Sequence, residues 1–185
     1  MTIIERSETR SIALFPWNHE DGFAYQEQCV RALCENQSLI LEKRSSGQPF
    51  LLNSTLGVSL SHTANTLAVS VSKNHSPGID IEQLRQKIIR IASRVFSEAE
   101  LAMVSSYPTL EALHILWGAK EAVYKSYGKR GLIFKSDMEV LPFPYPAQKG
   151  EIFLKFRDST YYSLQYQFLP NQTLLVYTTG AREKF

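Results

Sequence analysis

Two acidic residues flank a single isoleucine in the stretch GIDIE (78–82). Isoleucine favours β-strands, and successive side chains of a strand point to opposite faces of the sheet. Asp80 and Glu82 are therefore expected to share one face, whereas Ile79 and Ile81 occupy the other. This pattern predicts either an edge strand with a solvated acidic face or a pair of carboxylates that binds a metal ion.

A third acidic residue of interest lies in the segment WGAKEAVYKSYG (117–128), where Glu121 precedes Lys125 by four residues. Four residues span about one helical turn, so these two side chains are expected on the same face of a helix. Taken alone, this spacing is typical of a surface ion pair, which stabilises a helix by roughly a few tenths of a kcal/mol.

The hydrophobic pattern predicts the elements that must position these residues. Alternating apolar and polar residues predict a hairpin over 57–73, whose tip carries the polar sequence SHT (61–63). Ser97 and Glu100 match a capping box, which begins a new helix. The other predicted elements are a strand over 11–17, helices over 23–44, 84–95 and 110–128, and strands from 150 onward. Together they predict an α+β protein with helices packed on largely antiparallel sheet.

Composition excludes several classes of function. Of the 185 residues, 44% are hydrophobic and 21% are charged, and the net charge of +2 is too small to indicate nucleic-acid binding. No segment approaches the ~20 apolar residues of a membrane span, and the charged N-terminus lacks the apolar region of a signal peptide. The two cysteines provide neither a disulfide framework nor a zinc site. We therefore expect a cytoplasmic protein without nucleic-acid or membrane partners.

Five short motifs follow one another in a characteristic order. They are GQP (47–49), SHT (61–63), GIDIE (78–82), FSEAE (96–100) and WGAKEAVYK (117–125). Their order and gaps resemble those of the 4′-phosphopantetheinyl transferases, and most of all the longer, monomeric type that activates surfactin synthetase and similar enzymes. The resemblance extends over roughly residues 45–131.

The resemblance implies an enzyme of the holo-[acyl-carrier-protein] synthase type. Such an enzyme moves the 4′-phosphopantetheine group of coenzyme A onto a serine of an apo carrier protein and releases adenosine 3′,5′-bisphosphate. The family fold implies two similar α/β lobes related by a pseudo-twofold axis, with coenzyme A and Mg²⁺ (or Mn²⁺) in the cleft between them. We place the coenzyme A-binding lobe at residues 1–75, and the lobe with the metal site and catalytic helix at residues 76–185.

Asp80, Glu82 and Glu121 are the implied metal ligands. Mg²⁺ prefers oxygen ligands and keeps several waters, so these carboxylates and the diphosphate of coenzyme A suffice. Three negative charges in one place are unfavourable without a cation, which favours a metal site over a structural cluster. We expect Lys125 to stabilise charge on the diphosphate, and either Glu121 or a metal-bound water to act as the general base.

The remaining coenzyme A contacts are expected from the N-terminal half. The resemblance assigns the 3′-phosphate to His62, with Ser61 beside it. Arg44 and Arg31 are further candidates, because arginine binds phosphate groups in a bidentate manner.

Three positions depart from the family pattern. Gln48 stands where lysine is usual, which removes one cation, and Thr63 replaces serine but keeps the hydroxyl. Gly118 stands where threonine or alanine is common, inside a predicted helix, where glycine costs up to about 1 kcal/mol relative to alanine. The N-terminal part is also short for this type. Trp117 and Phe96 are expected to build the core.

The segment QLRQKIIRIASR (83–94) contains four basic residues and no acidic one. Carrier proteins are acidic helical domains, so we expect Arg85 and Arg90 to contribute to a docking surface for the carrier. Two alternative functions stay open at this point. One is a Mg²⁺-dependent diphosphate hydrolase that uses the same three acids, and the other is a non-catalytic homologue that binds a carrier protein or coenzyme A.

Overall fold

A computed structural model describes residues 1–18, 20–144, 147–157 and 160–183. Within these residues the chain forms eleven strands and five helices. In chain order they are β1 (Thr2–Arg6), β2 (Arg10–Pro16), α1 (Gly22–Cys34), β3 (Ile40–Lys43), β4 (Pro49–Leu52), β5 (Gly57–His62), β6 (Thr66–Ser72), β7 (Ile79–Gln83), α2 (Lys87–Val95), α3 (Glu98–Met103), α4 (Thr109–Tyr127), α5 (Phe134–Asp137), β8 (Met138–Val140), β9 (Lys149–Phe156), β10 (Thr160–Leu169) and β11 (Thr173–Glu183).

The strands form three antiparallel sheets. One has four strands in the order β1-β2-β6-β5, a second has five in the order β7-β11-β10-β9-β8, and β3 pairs with β4 as a separate hairpin. This mixed architecture confirms the predicted α+β class with antiparallel sheets. The boundary between residues 75 and 76 and the pseudo-twofold relation stay predictions.

Each large sheet packs against one helix. Val30 and Leu33 of α1 lie in a core with the first sheet, and Leu116 and Val123 of α4 lie in a larger core with the second. A third apolar cluster joins the two sheets, and it contains Ile12, Ala68, Ile79, Ile81, Leu175 and Tyr177. The alternation in GIDIE therefore places both isoleucines of β7 in the core, as the sequence predicts.

The predicted helix over 23–44 is wrong in its second half. The helix ends at Cys34, and Glu35 adopts a left-handed backbone conformation with φ of 53°. Leu41 is buried, but it lies in β3 and pairs with Leu51 of β4. The apolar spacing of 23–44 thus combines a helix with a short strand, because period 3.6 and period 2 coincide at isolated positions.

Other local predictions are confirmed. Residues 57–73 contain the hairpin of β5 and β6, and Ser97 and Glu100 form both hydrogen bonds of a capping box. Gly128 ends α4 as a left-handed C-cap with φ of 70°.

Candidate active site

Strand β7 forms the base of the candidate site. It is at the edge of the five-stranded sheet, and serine hydroxyls of β5 accept hydrogen bonds from its outer N–H groups. Ser59 Oγ lies 3.2 Å from the Ile79 nitrogen, and Ser61 Oγ lies 3.2 Å from the Ile81 nitrogen. These hydroxyls satisfy an edge that would otherwise be unpaired, and they join the two large sheets beside Asp80.

Two glycines let α4 approach β7 and β11 closely. A Cβ atom on Gly78 would lie 1.8 Å from the carbonyl oxygen of Ala122, and one on Gly118 would lie 2.6 Å from Val176 Cγ2. A larger residue at position 78 would displace the backbone of α4, and one at position 118 would displace either α4 or the Val176 side chain. The close contact with Val176 accommodates Gly118 in this helix despite its low helix propensity.

Asp80, Lys125 and Ser61 are in direct contact at the centre of the site. Lys125 Nζ donates to Asp80 Oδ1 at 2.8 Å, to Ser61 Oγ at 2.8 Å and to the Ile79 carbonyl at 3.0 Å. Ser61 Oγ in turn donates to Asp80 Oδ1 at 3.1 Å. The three residues come from β7, α4 and β5, so the sequence-predicted candidates from both sheets meet at one point.

Glu82 and Glu121 extend the negative charge of the site. Burial, together with the charge of Asp80 and then of Glu121, raises the pKa of Glu82 to about 8. Burial and the charge of Asp80 likewise raise the pKa of Glu121 to about 7, although Lys125 opposes this shift. The three carboxylates are therefore close enough to repel one another in their ionised forms.

The residues present fit a divalent cation in their chemistry. Among the described residues, no three His, Cys, Asp or Glu side chains are already arranged as metal ligands. Asp80 Oδ1 instead accepts a hydrogen bond from Lys125. However, Glu82 Oε1 is buried and has no hydrogen-bond partner in the described structure. An unpartnered buried carboxylate oxygen beside two further carboxylates suits a hard cation. The assignment of Asp80, Glu82 and Glu121 as ligands stays a prediction.

On one side of this centre lies a cavity of about 420 Å³. Its lining includes Glu82, His62, Arg85 and Trp117. His62 is exposed, and its ring stacks on Trp17 with centroids 4.8 Å apart. The prediction that Trp117 and Phe96 build the core is right for Phe96, which is fully buried, whereas Trp117 packs against the core and also lines this cavity.

On the other side lies a cavity of about 220 Å³, which contains the GQP motif. Gln48 lines it together with Lys125, Lys129 and Arg130, and none of the described residues in its lining is acidic. A Cβ atom on Gly128 would lie 2.1 Å from Gln48 Nε2, so the glutamine packs directly on the end of α4. The cavity is therefore cationic even though glutamine replaces the usual lysine.

The two candidate arginines lie in different places. Arg44 lines a neighbouring cavity of about 410 Å³ with Gln48, and its guanidinium lies 4.9 Å from the centre of the Phe50 ring. Arg31 is held on α1 by an ion pair with Glu27 at 2.8 Å and by a hydrogen bond to the Leu39 carbonyl. Arg31 thus has a structural role in the described fold, and its part in phosphate binding stays a prediction.

Sequence reasoning missed two buried polar groups near the site. His114 accepts a hydrogen bond from the Arg85 nitrogen at 3.1 Å and lines the larger cavity, and burial lowers its pKa. Lys120 and Glu100 form a buried ion pair at 2.7 Å. Both residues of this pair belong to quoted motifs, FSEAE and WGAKE, but only the tertiary structure shows that they are partners.

Comparison with known proteins shows the family of this chain. The model of the 4′-phosphopantetheinyl transferase superfamily matches residues 76–177, a range that contains Asp80, Glu82, Glu121 and Lys125. The 4′-phosphopantetheinyl transferase gsp of Aneurinibacillus migulanus is 30% identical over 97 residues, which are 51% of this chain and 40% of that relative. The chain thus matches less than half the length of this curated relative. In the described part, no helix combines the length and the apolar character that crossing a membrane requires.

The family match covers more than half of the chain, and it includes the strand and the helix whose side chains meet at Asp80 and Lys125. This chain belongs to the 4′-phosphopantetheinyl transferase superfamily.

Proposed function

We propose that this protein transfers 4′-phosphopantetheine from coenzyme A to a serine of an apo carrier protein, in a Mg²⁺-dependent reaction that releases adenosine 3′,5′-bisphosphate. The observation that carries the proposal is the contact of Lys125 with Asp80 next to Glu82 and Glu121. A cation-binding acidic group beside a lysine is what a reaction at a diphosphate requires.

Asp80, Glu82 and Glu121 would hold the divalent cation, and their oxygen ligands suit both Mg²⁺ and Mn²⁺. When bound, the cation supplies positive charge that offsets the charge of the diphosphate and of the leaving group. The buried Glu82 Oε1, which has no hydrogen-bond partner among the described residues, would gain a positive partner from it.

Lys125 would contact the diphosphate from α4. Its ammonium is already held at the site by Asp80 and Ser61, so little side-chain entropy is lost when the substrate binds. We assign it to charge stabilisation of the leaving phosphate, because Asp80 Oδ1 and Ser61 Oγ hold its ammonium group beside the acidic residues.

Glu121 would act as the general base. Without a cation, burial and the charge of Asp80 raise the pKa of Glu121 to about 7, so its carboxylate is more basic than that of an ordinary glutamate. The carrier serine oxygen attacks the phosphorus that bears pantetheine, and the bond from this phosphorus to the bridging oxygen breaks. The serine proton moves to Glu121, and adenosine 3′,5′-bisphosphate leaves with the electron pair of the broken bond.

Coenzyme A would lie along the cationic cavities on the GQP side. Lys129 and Arg130 line the same cavity as Gln48 and can supply the cation that the missing lysine would provide. Arg44 borders the next cavity. His62 lines the cavity beside Glu82 and not those on the GQP side, so its contact with the 3′-phosphate stays a prediction separate from this placement.

The carrier protein would dock over α2 and the cavity beside Glu82. Arg85 lines this cavity with the apolar side chains of Ile88 and Ile91, and Arg90 is exposed on α2. A basic rim around apolar side chains suits an acidic helical domain. The proposal includes a monomeric cytoplasmic enzyme of the holo-[acyl-carrier-protein] synthase type, with two pseudo-symmetric lobes.

Product analysis tests the proposal against the hydrolase alternative. The protein is incubated with coenzyme A and Mg²⁺, with and without an apo carrier protein, and nucleotide products are separated by chromatography. A transferase forms adenosine 3′,5′-bisphosphate only when the apo carrier is present. Formation of free phosphopantetheine without a carrier would favour the hydrolase.

A further inference from the structure

The buried ion pair of Lys120 and Glu100 takes no part in the site described above. Lys120 is 0% exposed and Glu100 is 1% exposed. Lys120 Nζ donates to Glu100 Oε2 at 2.7 Å, to the Phe134 carbonyl at 2.9 Å and to the Val95 carbonyl at 3.3 Å. All three ammonium protons therefore have acceptors, which a buried lysine requires.

Glu100 is fixed as firmly as its partner. Its Oε2 also accepts the N–H of Ser97 at 2.8 Å, and its Oε1 accepts the N–H of Val140 at 2.8 Å. The pair therefore attaches α4 to the end of α2, the first turn of α3, the short helix α5 and strand β8.

We infer that Lys120 is a positioning residue, which fixes the rotation and axial position of α4 so that Glu121 and Lys125 face Asp80. The inference rests on the function proposed above. Lys120 precedes Glu121 directly, and consecutive helix residues point about 100° apart. One side chain can therefore be anchored in the core while the next faces the site.

The ion pair suits the accuracy with which Glu121 and Lys125 must be positioned for the proposed reaction. Rotating α4 by about 20° would move the Cα of Glu121 by about 0.8 Å. A displacement of about 1 Å can reduce a reaction rate by about 10²-fold. The contacts at Gly78 and Gly118 limit how closely α4 approaches the sheet, but apolar contact alone does not fix its rotation. The directional hydrogen bonds of Lys120 do.

The same ion pair places the aromatic walls of both cavities. The ring of Phe134, whose carbonyl accepts from Lys120, lies 5.7 Å from the rings of Trp117 and Tyr124. Trp117 lines the cavity beside Glu82, and Tyr124 lines the cavity beside Gln48. A displacement of Lys120 would therefore move aromatic side chains in the linings of both cavities.

The double variant Glu100→Gln/Lys120→Met removes both charges and leaves no unpaired buried ion, so it is expected to fold. We expect its kcat to fall about tenfold or more, and its KM for coenzyme A to rise by a smaller factor, because Tyr124 of the coenzyme A cavity also shifts. We also expect weaker Mn²⁺ binding, measured by electron paramagnetic resonance without coenzyme A. Wild-type kcat and wild-type Mn²⁺ affinity in this variant would overturn the inference.

Glu100→Asp provides a second test that keeps the charge and withdraws the carboxylate by one methylene group. It should lower kcat and Mn²⁺ affinity in the same direction, and unchanged values of both contradict the inference. The Mn²⁺ measurement needs no turnover. It therefore decides the positioning role even if the wild-type protein shows no transferase activity and the proposed function fails.

The matched control is the ion pair of Arg10 and Glu5 in the N-terminal sheet, which is partly buried and outside the cavities beside Asp80. The variant Glu5→Gln/Arg10→Met should lower the melting temperature and leave kcat unchanged. An equal loss of kcat in this control would show that general destabilisation, and not the position of α4, limits turnover.

Discussion

Lys125 Nζ lies 2.8 Å from Asp80 Oδ1, so helix α4 and strand β7 are joined by an ion pair at the centre of the candidate site. The same ammonium contacts Ser61 of the other large sheet. Lys125 therefore provides the positive charge that Asp80 needs in the described structure. A bound cation and a diphosphate can take over that charge balance and leave the lysine to contact phosphate.

Replacing Lys125 tests this role. We expect Lys125→Ala to lower kcat by about 10²- to 10³-fold, because a preorganised charge at the leaving group is lost. Glu121→Gln should lower it at least as much, since it removes both the base and a metal ligand. Steady-state kinetics with Lys149→Ala, an exposed lysine on β9, provides the control. If Lys125→Ala turns over like wild type while Glu121→Gln is inactive, the lysine has no catalytic role.

Position 48 gives a gain-of-function prediction. Gln48 packs on Gly128 in a cavity that Lys125, Lys129 and Arg130 also line. Gln48→Lys adds the cation that is usual in the family, so we expect the KM for coenzyme A to fall by about 5-fold, equivalent to roughly 1 kcal/mol at a partly exposed site. kcat should not change. A KM that stays the same or rises would mean that phosphate does not reach this cavity.

Charge reversal on the docking surface should affect only the carrier protein. We expect Arg85→Glu and Arg90→Glu to raise the KM for the carrier and to weaken its dependence on salt, because fewer opposite charges then attract the two proteins. The KM for coenzyme A should stay constant. Lys149→Glu serves as a charge-matched control outside this surface, and an unchanged carrier KM in the arginine variants excludes the surface.

The raised pKa values predict how pH affects stability. Folding raises the pKa of Glu82 from 4.5 to about 8 and that of Glu121 from 4.5 to about 7. As the pH rises, these two carboxyl groups therefore lose their protons at a lower pH in the unfolded chain than in the folded protein. Protonated Glu82 and Glu121 therefore contribute fully to the free energy of unfolding below pH 4.5. This contribution is lost as the pH rises through 7 to 8.

Mg²⁺ relieves this repulsion only when the carboxylates are ionised. The rise in melting temperature on adding Mg²⁺ should therefore be larger at pH 8 than at pH 5.5, as measured by calorimetry. In Glu82→Gln/Glu121→Gln, both the loss of stability with pH and the effect of Mg²⁺ should shrink. An equal Mg²⁺ effect at the two pH values would argue against cation binding by these acids.

The sequence correctly predicted features that depend only on residues close together in the chain, such as strand alternation and helix capping. The alternation in GIDIE placed Ile79 and Ile81 in the core, and the spacing of Ser97 and Glu100 gave the capping box. The helix over 23–44 failed because Leu41 fits both a helical and a strand pattern. Only pairing with Leu51, ten residues later, decides between them.

Contacts between residues far apart in the sequence could not be predicted from local sequence patterns. Ser61 meets Lys125 across 64 positions, and Lys120 meets Glu100 across 20. Gly118 illustrates the same limit, because its helix propensity predicts a cost while the close contact with Val176 accommodates it. Each of these features depends on how α4 packs on the second sheet.

The intact mass of the carrier protein tests the central claim most directly. Apo carrier proteins are incubated with this protein, coenzyme A and Mg²⁺, and then analysed by mass spectrometry beside a serine-to-alanine carrier. Wild-type protein should add the mass of one phosphopantetheine group to the serine carrier alone. Asp80→Ala should add none while it keeps a melting temperature near that of wild type. Equal carrier modification by Asp80→Ala, or its unfolding, would contradict the assignment of Asp80 to the metal site.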